Sequence, residues 1–220
     1  MNETLAREEI CRIGQSLFER GYVHASAGNI SVRLDDGFLI TPTDACLGFL
    51  DPVRLARLDQ DGRQTGGDKG SKTIALHTRI YYATAGFAQV PRCVLHTHST
   101  HCVALTLAPH GDELLAPVTP YFVMKVGHVP VIPYHFPGDP QAAERVAETI
   151  ERYAAKGMEL RAVMLARLGP TVWHASPAAA MATLEELEET AQLVAMRPQA
   201  VSPLSQEQLY DLRRQFGAHW

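Results

Sequence analysis

Apolar side chains near the start fall at Leu5, Ile10, Ile13, Leu17 and Phe18, a spacing that predicts an amphipathic helix over 3–20. Gly21 stands where a helix C-cap belongs. The pattern then tightens in SAGNISVRL and FLITPT, two β-rich runs joined by the hairpin signal Asp35-Asp36-Gly37. From 51 to 70 the chain is polar and rich in Gly and Asp, which predicts a surface connection ending in GGDKGSK. Ile74, Leu76, His77, Ile80 and Tyr81 restore a helical period over 71–84. Val94-Leu95 opens a strand that carries His96 and His98, with a helix behind it over 99–108.

VPVIPY at 129–134 reads as a strand bounded by prolines. Pro137-Gly138-Asp139-Pro140 then turns into a helix over about 140–156, with Pro140 suited to its first turn. AVMLA at 162–166 is an apolar strand; Gly169-Pro170 breaks it and TVWHA resumes. Ser176 and Pro177 supply the N-cap and first position of a long helix through AAAMATLEELEETAQLVAM, and a last helix covers about 205–216. With no repeat of fixed period, helices at both ends around interspersed strands predict a single α/β/α layer domain over 1–220.

The length of 220 residues at 46% hydrophobic suffices for one sizeable core. Lys plus Arg number 20 against 24 Asp plus Glu, a net charge of -4, which argues against a nucleic-acid partner but leaves room for a basic pocket around one small anion. No apolar run approaches the roughly 18 residues of a membrane helix, and MNETLAREEICRIGQ has no apolar signal core. These features predict a soluble, cytoplasmic protein with no membrane partner. Cys11, Cys46, Cys93 and Cys102 lack CxxC spacing and read as buried thiols.

Candidate chemistry begins with His96-Thr97-His98. Side chains two apart on a strand project from one face, so both imidazoles can converge on a divalent ion. With 10 histidines in 220 residues, about 0.45 such pairs arise by chance, so the pair alone is weak evidence. Its setting at the end of an apolar strand, before a polar Ser-Thr turn and His101, strengthens it. A second group is Ser26-Ala27-Gly28-Asn29, Thr41-Pro42-Thr43 and Gly70-Ser71-Lys72. Turns of this kind offer backbone N–H and hydroxyl donors to a phosphate, Lys72 adds charge, and a helix opened by Ser71 would add its N-terminal N–H groups. A third is PYHFPGD, which either brings Tyr134 or His135 to the site or only shapes a turn.

Taken in order, SAGNIS, TPT, GDKGSK, LHTRIY, VLHTHS, TPY and LEELEETAQL resemble the class II aldolase/adducin family from about residue 5 to the C-terminus. Within it, TPTDACLG, LDPVRL, HSTH, TPYFVM, VIPYHFPGDP and the LEELEET helix are most similar to the 3-oxo-tetronate 4-phosphate decarboxylases. The resemblance implies a three-layer α/β/α fold with a central, mostly antiparallel sheet. It also implies a homotetramer with active sites between subunits, a divalent metal (zinc or manganese), and a phosphorylated sugar-acid substrate. Carried over by position, Gly28, Asn29, Thr43, Ser71 and Lys72 match the phosphate site, and His96 and His98 match two metal ligands. Tyr121, in TPY, matches a segment presented to a neighbouring subunit's site.

Two positions depart from the pattern. Thr73 stands where the family carries a glutamate, and Leu168 where it carries a third metal histidine, with Arg167 beside it in place of asparagine. His174 is the first candidate for the missing ligand, followed by His135 and His101, while Arg167 offers a fixed cation for the substrate carboxylate or enediolate oxygen. The glutamate would be the base that makes an enediolate from a ketose phosphate. A β-keto acid needs no such base, because loss of CO₂ leaves the same electrons behind. The sequence therefore favours a metal-dependent lyase that decarboxylates a phosphorylated 3-oxo sugar acid to a triose phosphate through a metal-stabilised enediolate. An aldolase or epimerase of another sugar phosphate, and a non-catalytic adducin-like binding protein with a degenerate metal site, are the alternatives.

Overall fold

The computed structural model describes residues 2–108, 110–197, 199–218 and 220. Its first helix, α1 (Glu3–Glu19), starts where the Asn2 side chain accepts the Leu5 N–H, and it turns Ala6, Ile10, Ile13 and Leu17 inward. Gly21, at φ +73, ends it as the pattern predicts. The hairpin follows as β1 (Asn29–Leu34) and β2 (Gly37–Ile40). The segment expected to be a plain surface connection instead adds two short strands, β3 (Ala56–Leu58) and β4 (Gln64–Gly66). β3 is a strand because Leu55, Ala56 and Leu58 are buried against β2, a tertiary cause that three residues of local pattern do not reveal.

Next come α2 (Ile74–Ala83), β5 (Cys93–His96) and α3 (Thr100–Leu105), the last much shorter than the 99–108 helix expected. Ser71 does not open α2; the 71–73 segment is a turn, and Thr73 is the N-cap. A π-helical turn at Phe122–Val126 has no counterpart in the sequence pattern. The 129–134 strand shrinks to β6 (Val131–Ile132), since Pro130 and Pro133 on either side have no N–H to give a ladder. Then follow α4 (Pro140–Ala154), β7 (Ala162–Leu165), β8 (Gly169–His174), α5 (Pro177–Ala195) and α6 (Gln206–Phe216). Asp139, Ser176 and Ser205 cap the last three helices through their side chains.

The eight strands form one sheet in the order β4-β3-β2-β1-β5-β8-β7-β6, antiparallel except for the parallel β6–β7 pair. Alternation along β5 and β8 divides the core. Cys93, Leu95 and Val172 face α1 and α5 (Ile10, Leu17, Leu184, Leu187), while Val94 and Trp173 face α2 and α4 (Ile80, Tyr81, Val146, Ile150). The result is helix, sheet, helix, as expected. The four cysteines are free thiols, but only Cys93 and Cys102 are fully buried; Cys11 and Cys46 are half-buried. No described helix is long and apolar enough to cross a membrane.

Candidate active site

The site is assembled at the ends of the two central strands. Antiparallel register sets Asn29 opposite His96 and His96 opposite Thr171, so three polar side chains form one row on the α2/α4 face. The His96 Nδ1 is tied to the Thr171 hydroxyl at 3.0 Å, which leaves Nε2 as its other nitrogen. His98 lies just past the end of β5, its ring centroid 5.3 Å from that of His96. Burial pushes the His96 imidazole down to about 3, and the nearby His98 adds to the shift. Burial, then His24, lowers His98 as well. Both rings are thus held neutral, the state that can ligate a metal. Behind them His77, fully buried and also lowered to about 3 by burial and then by His96, shares the Ser31 hydroxyl with Tyr81.

Asn29, His96 and His98 belong to the wall of one cavity of about 370 Å³. The Ser26–Asn29 loop, Thr43, and the Ser71–Lys72–Thr73 turn at the start of α2 line it together with His96 and His98. The TPT and GSK segments are brought side by side by a bridge between Pro42 and Gly70 and by the Thr43 N–H donated to the Lys69 carbonyl at 2.8 Å. Gly28 is required there: at φ +84, a Cβ would stand 2.9 Å from the His96 carbonyl oxygen. Lys72 makes no ion pair among the described residues, so its charge is available to an anion. Thr73 Oγ1 accepts from Asn29 Nδ2 at 3.2 Å and from the Ser71 hydroxyl at 3.1 Å. The Asn29 Oδ1 is buried without a hydrogen-bond partner among the described residues, an acceptor that a ligand hydroxyl can satisfy.

The expected third metal ligand is not where the sequence put it. His174 pairs with Cys93, three residues back along β5 from His96. By the rise of an antiparallel strand that is about 10 Å, and the odd offset turns it to the opposite face. It lines a different cavity, with Met124 and Arg161. His101 is likewise committed elsewhere, its Nδ1 on Glu188 at 2.9 Å. Arg167 is exposed, takes φ +64 and is absent from the cavity wall, although its neighbours Ala166 and Leu168 belong to it. Tyr121, 62% exposed, lines a third cavity with Lys125 and Arg161.

Two further histidines approach, one that the sequence did not single out and one that it offered as a candidate. The His24 ring is 6.2 Å from His98 by centroid, and its only sequence signal is its place two residues before the SAGN turn. His135, left undecided by the sequence, lines the cavity. Even so, no group of three or more His, Cys, Asp or Glu side chains is arranged to hold a metal among the described residues. The fit to a divalent ion is therefore a two-nitrogen one, from His96 and His98.

The family model for the class II aldolase and adducin N-terminal domain matches residues 8–195. A 3-oxo-tetronate 4-phosphate decarboxylase of Cupriavidus necator is 52% identical, with 99% of each chain covered. Among solved structures, YgbL from Klebsiella pneumoniae superposes with a TM-score of 0.84 at 38% identity, covering 97% of this chain and 100% of that one. The L-fuculose-1-phosphate aldolase of Thermus thermophilus gives a TM-score of 0.73 at 25% identity, over 90% and 100%.

Proposed function

Because the chain belongs to the class II aldolase and adducin family, we propose that it is a carbon–carbon lyase that decarboxylates 3-oxo-tetronate 4-phosphate to dihydroxyacetone phosphate through an enediolate. The similarity to a decarboxylase of that name supports the substrate. The observation that carries the reaction type is Thr73, in the cavity wall between the phosphate-type turns and the histidine pair. Aldol cleavage draws on a base at that position, and a threonine hydroxyl cannot remove a proton from carbon.

Decarboxylation dispenses with that base. As the C1–C2 bond of the β-keto acid breaks, its electron pair enters C2–C3, and the C3 oxygen takes up the negative charge. Lys72, Ser71, Thr43 and the Gly28–Asn29 turn hold the phosphate at the start of α2, and so fix which carbon faces the histidines. Thr73 accepts two hydrogen bonds from its neighbours, so its own hydroxyl proton is free to donate to a substrate oxygen. A divalent ion, zinc or manganese, held by His96 and His98, supplies Lewis-acid stabilisation of the charge when bound. The reading includes a homotetramer in which Tyr121 serves a neighbouring copy's site, supported by its exposure and its absence from the wall around His96 and His98 in its own chain.

The test is product analysis. Protein supplied with zinc or manganese is expected to release CO₂ from 3-oxo-tetronate 4-phosphate one for one with dihydroxyacetone phosphate. Cleavage of a ketose phosphate with no CO₂ from the β-keto acid would sink the reading.

A further inference from the structure

We propose that His135, oriented by Asp139, is the general acid that protonates the enediolate carbon; the proposal rests on the decarboxylase reading above. That reading leaves one step without an agent. The enediolate left by CO₂ becomes a triose phosphate only when C2 receives a proton, and Thr73 cannot deliver it.

The cavity itself narrows the choice. Its titratable lining residues are Asp44, Lys72, His96, His98, His135 and Asp139. His96 and His98 are the neutral pair assigned to the ion. Lys72 and Asp44 lie at the phosphate end, beside Ser71 and Thr43. His135 and Asp139 remain, and of the two only the imidazole can hold a proton on one ring nitrogen while the other is hydrogen-bonded to its neighbour.

Its setting suits the role. The His135 Nδ1 is 2.8 Å from Asp139 Oδ2. That hydrogen bond, followed by the one from the Gln141 N–H, holds the Asp139 carboxyl below its ordinary range. A carboxylate only accepts, so Nδ1 carries the hydrogen and Nε2 is the nitrogen left to exchange a proton with a ligand. The pair is anchored at both ends: His135 follows the Pro133 end of β6, and Asp139 Oδ1 caps α4 through the Gln141 N–H at 2.9 Å. The two side chains are 17% and 14% exposed, covered enough to stay in place and open enough to be recharged by water.

The step balances. CO₂ departs and the electron pair of the C1–C2 bond becomes the C2–C3 enediolate. Nε2–H of the imidazolium passes its proton to C2, the C3 oxygen recovers its carbonyl, and neutral His135 takes a proton back from water.

By microscopic reversibility, the same imidazole removes that proton from the product. Metal-loaded protein in D₂O should therefore exchange one C1 hydrogen of dihydroxyacetone phosphate, read by proton NMR without any decarboxylation. His135→Gln should slow this exchange roughly 10²–10⁴-fold, the usual worth of a general acid or base, with bound metal and product affinity unchanged. Asp139→Asn keeps an oxygen for the α4 cap but turns an N–H toward Nδ1, which fixes the wrong tautomer. It should cost roughly 10²-fold or more in kcat with little change in KM. Exchange at the wild-type rate in His135→Gln overturns the proposal. So does loss of the metal from that variant, which would make His135 a ligand. Wild-type exchange without CO₂ release from the β-keto acid would defeat the decarboxylase reading and leave the dyad's role upheld; no exchange by the wild type defeats the dyad.

Discussion

Thr73 is one oxygen serving three neighbours. It receives Asn29 Nδ2 and the Ser71 hydroxyl in the cavity wall, which leaves its own proton to give to a ligand. Thr73→Val keeps the shape and removes all three interactions. The Asn29 amide, whose Oδ1 is already unpartnered among the described residues, would then lose its other contact as well. The hydrogen bond that Thr73 gives a charged substrate oxygen is worth about 1.5–3 kcal/mol, so its loss should lower kcat/KM roughly 10- to 150-fold, while the stranded Asn29 amide lowers the melting temperature. Thr73→Ser retains the oxygen and should recover most of the loss. The comparison is steady-state CO₂ release for both variants, with melting curves as the control on folding. Equal rates for valine and wild type would mean that the hydroxyl is idle.

At the scale of elements, the strand end that carries His96 is braced from behind by α5. The helix α3 has six residues, and its N-cap, Ser99, makes no side-chain cap bond. Glu188 supplies that cap from a distance: Oε1 accepts the His101 N–H at 2.9 Å and Oε2 the Cys102 N–H at 3.1 Å. A buried carboxylate on the first turn of a helix meets the orphan donors and the positive end of the dipole together. Glu188→Ala should therefore cost about 2–3 kcal/mol of stability. It should also loosen divalent-ion binding, because the turn it secures begins beside His98. Urea melts and metal titration check both, and Glu188→Gln should fall between. None of this was legible in the sequence, since nothing local marks Glu188, among the glutamates of LEELEET, as the one whose partners lie on α3. The helices α1, α4, α5 and α6 were legible because period and caps agree within each one. β3, β4 and the truncated β6 were not, because their extent is set by neighbours and by missing proline donors. The candidate site divides in the same way. Turns and the His-x-His pair announce themselves locally, whereas His135 joins them only because β6 and α4 close the cavity wall.

For the whole molecule, the instructive error is His174. Nearness to Leu168 along the chain recommended it, yet strand register and parity carry it to the other face, where it shares cavities with Arg161. Tyr121 lies in the same region, in a cavity with His174 and Lys125. Within one copy of the chain, neither residue belongs to the wall around His96 and His98. If Tyr121 contacts substrate, it must do so in another copy, and that consequence of the tetramer reading can be tested without a structure of the assembly. Two variants, His98→Ala and Tyr121→Phe, should each be impaired on their own. A cyclic arrangement builds every site from the histidines of one subunit and the tyrosine of the next. Unfolding an equal mixture and refolding it together would then give intact partners at about one site in four, and CO₂ release near a quarter of the wild-type value. Refolding each variant separately and then combining them should give no such recovery. A mixture that shows only the average of its two parents would mean that no site in the assembly combines the histidines of one copy with Tyr121 of another.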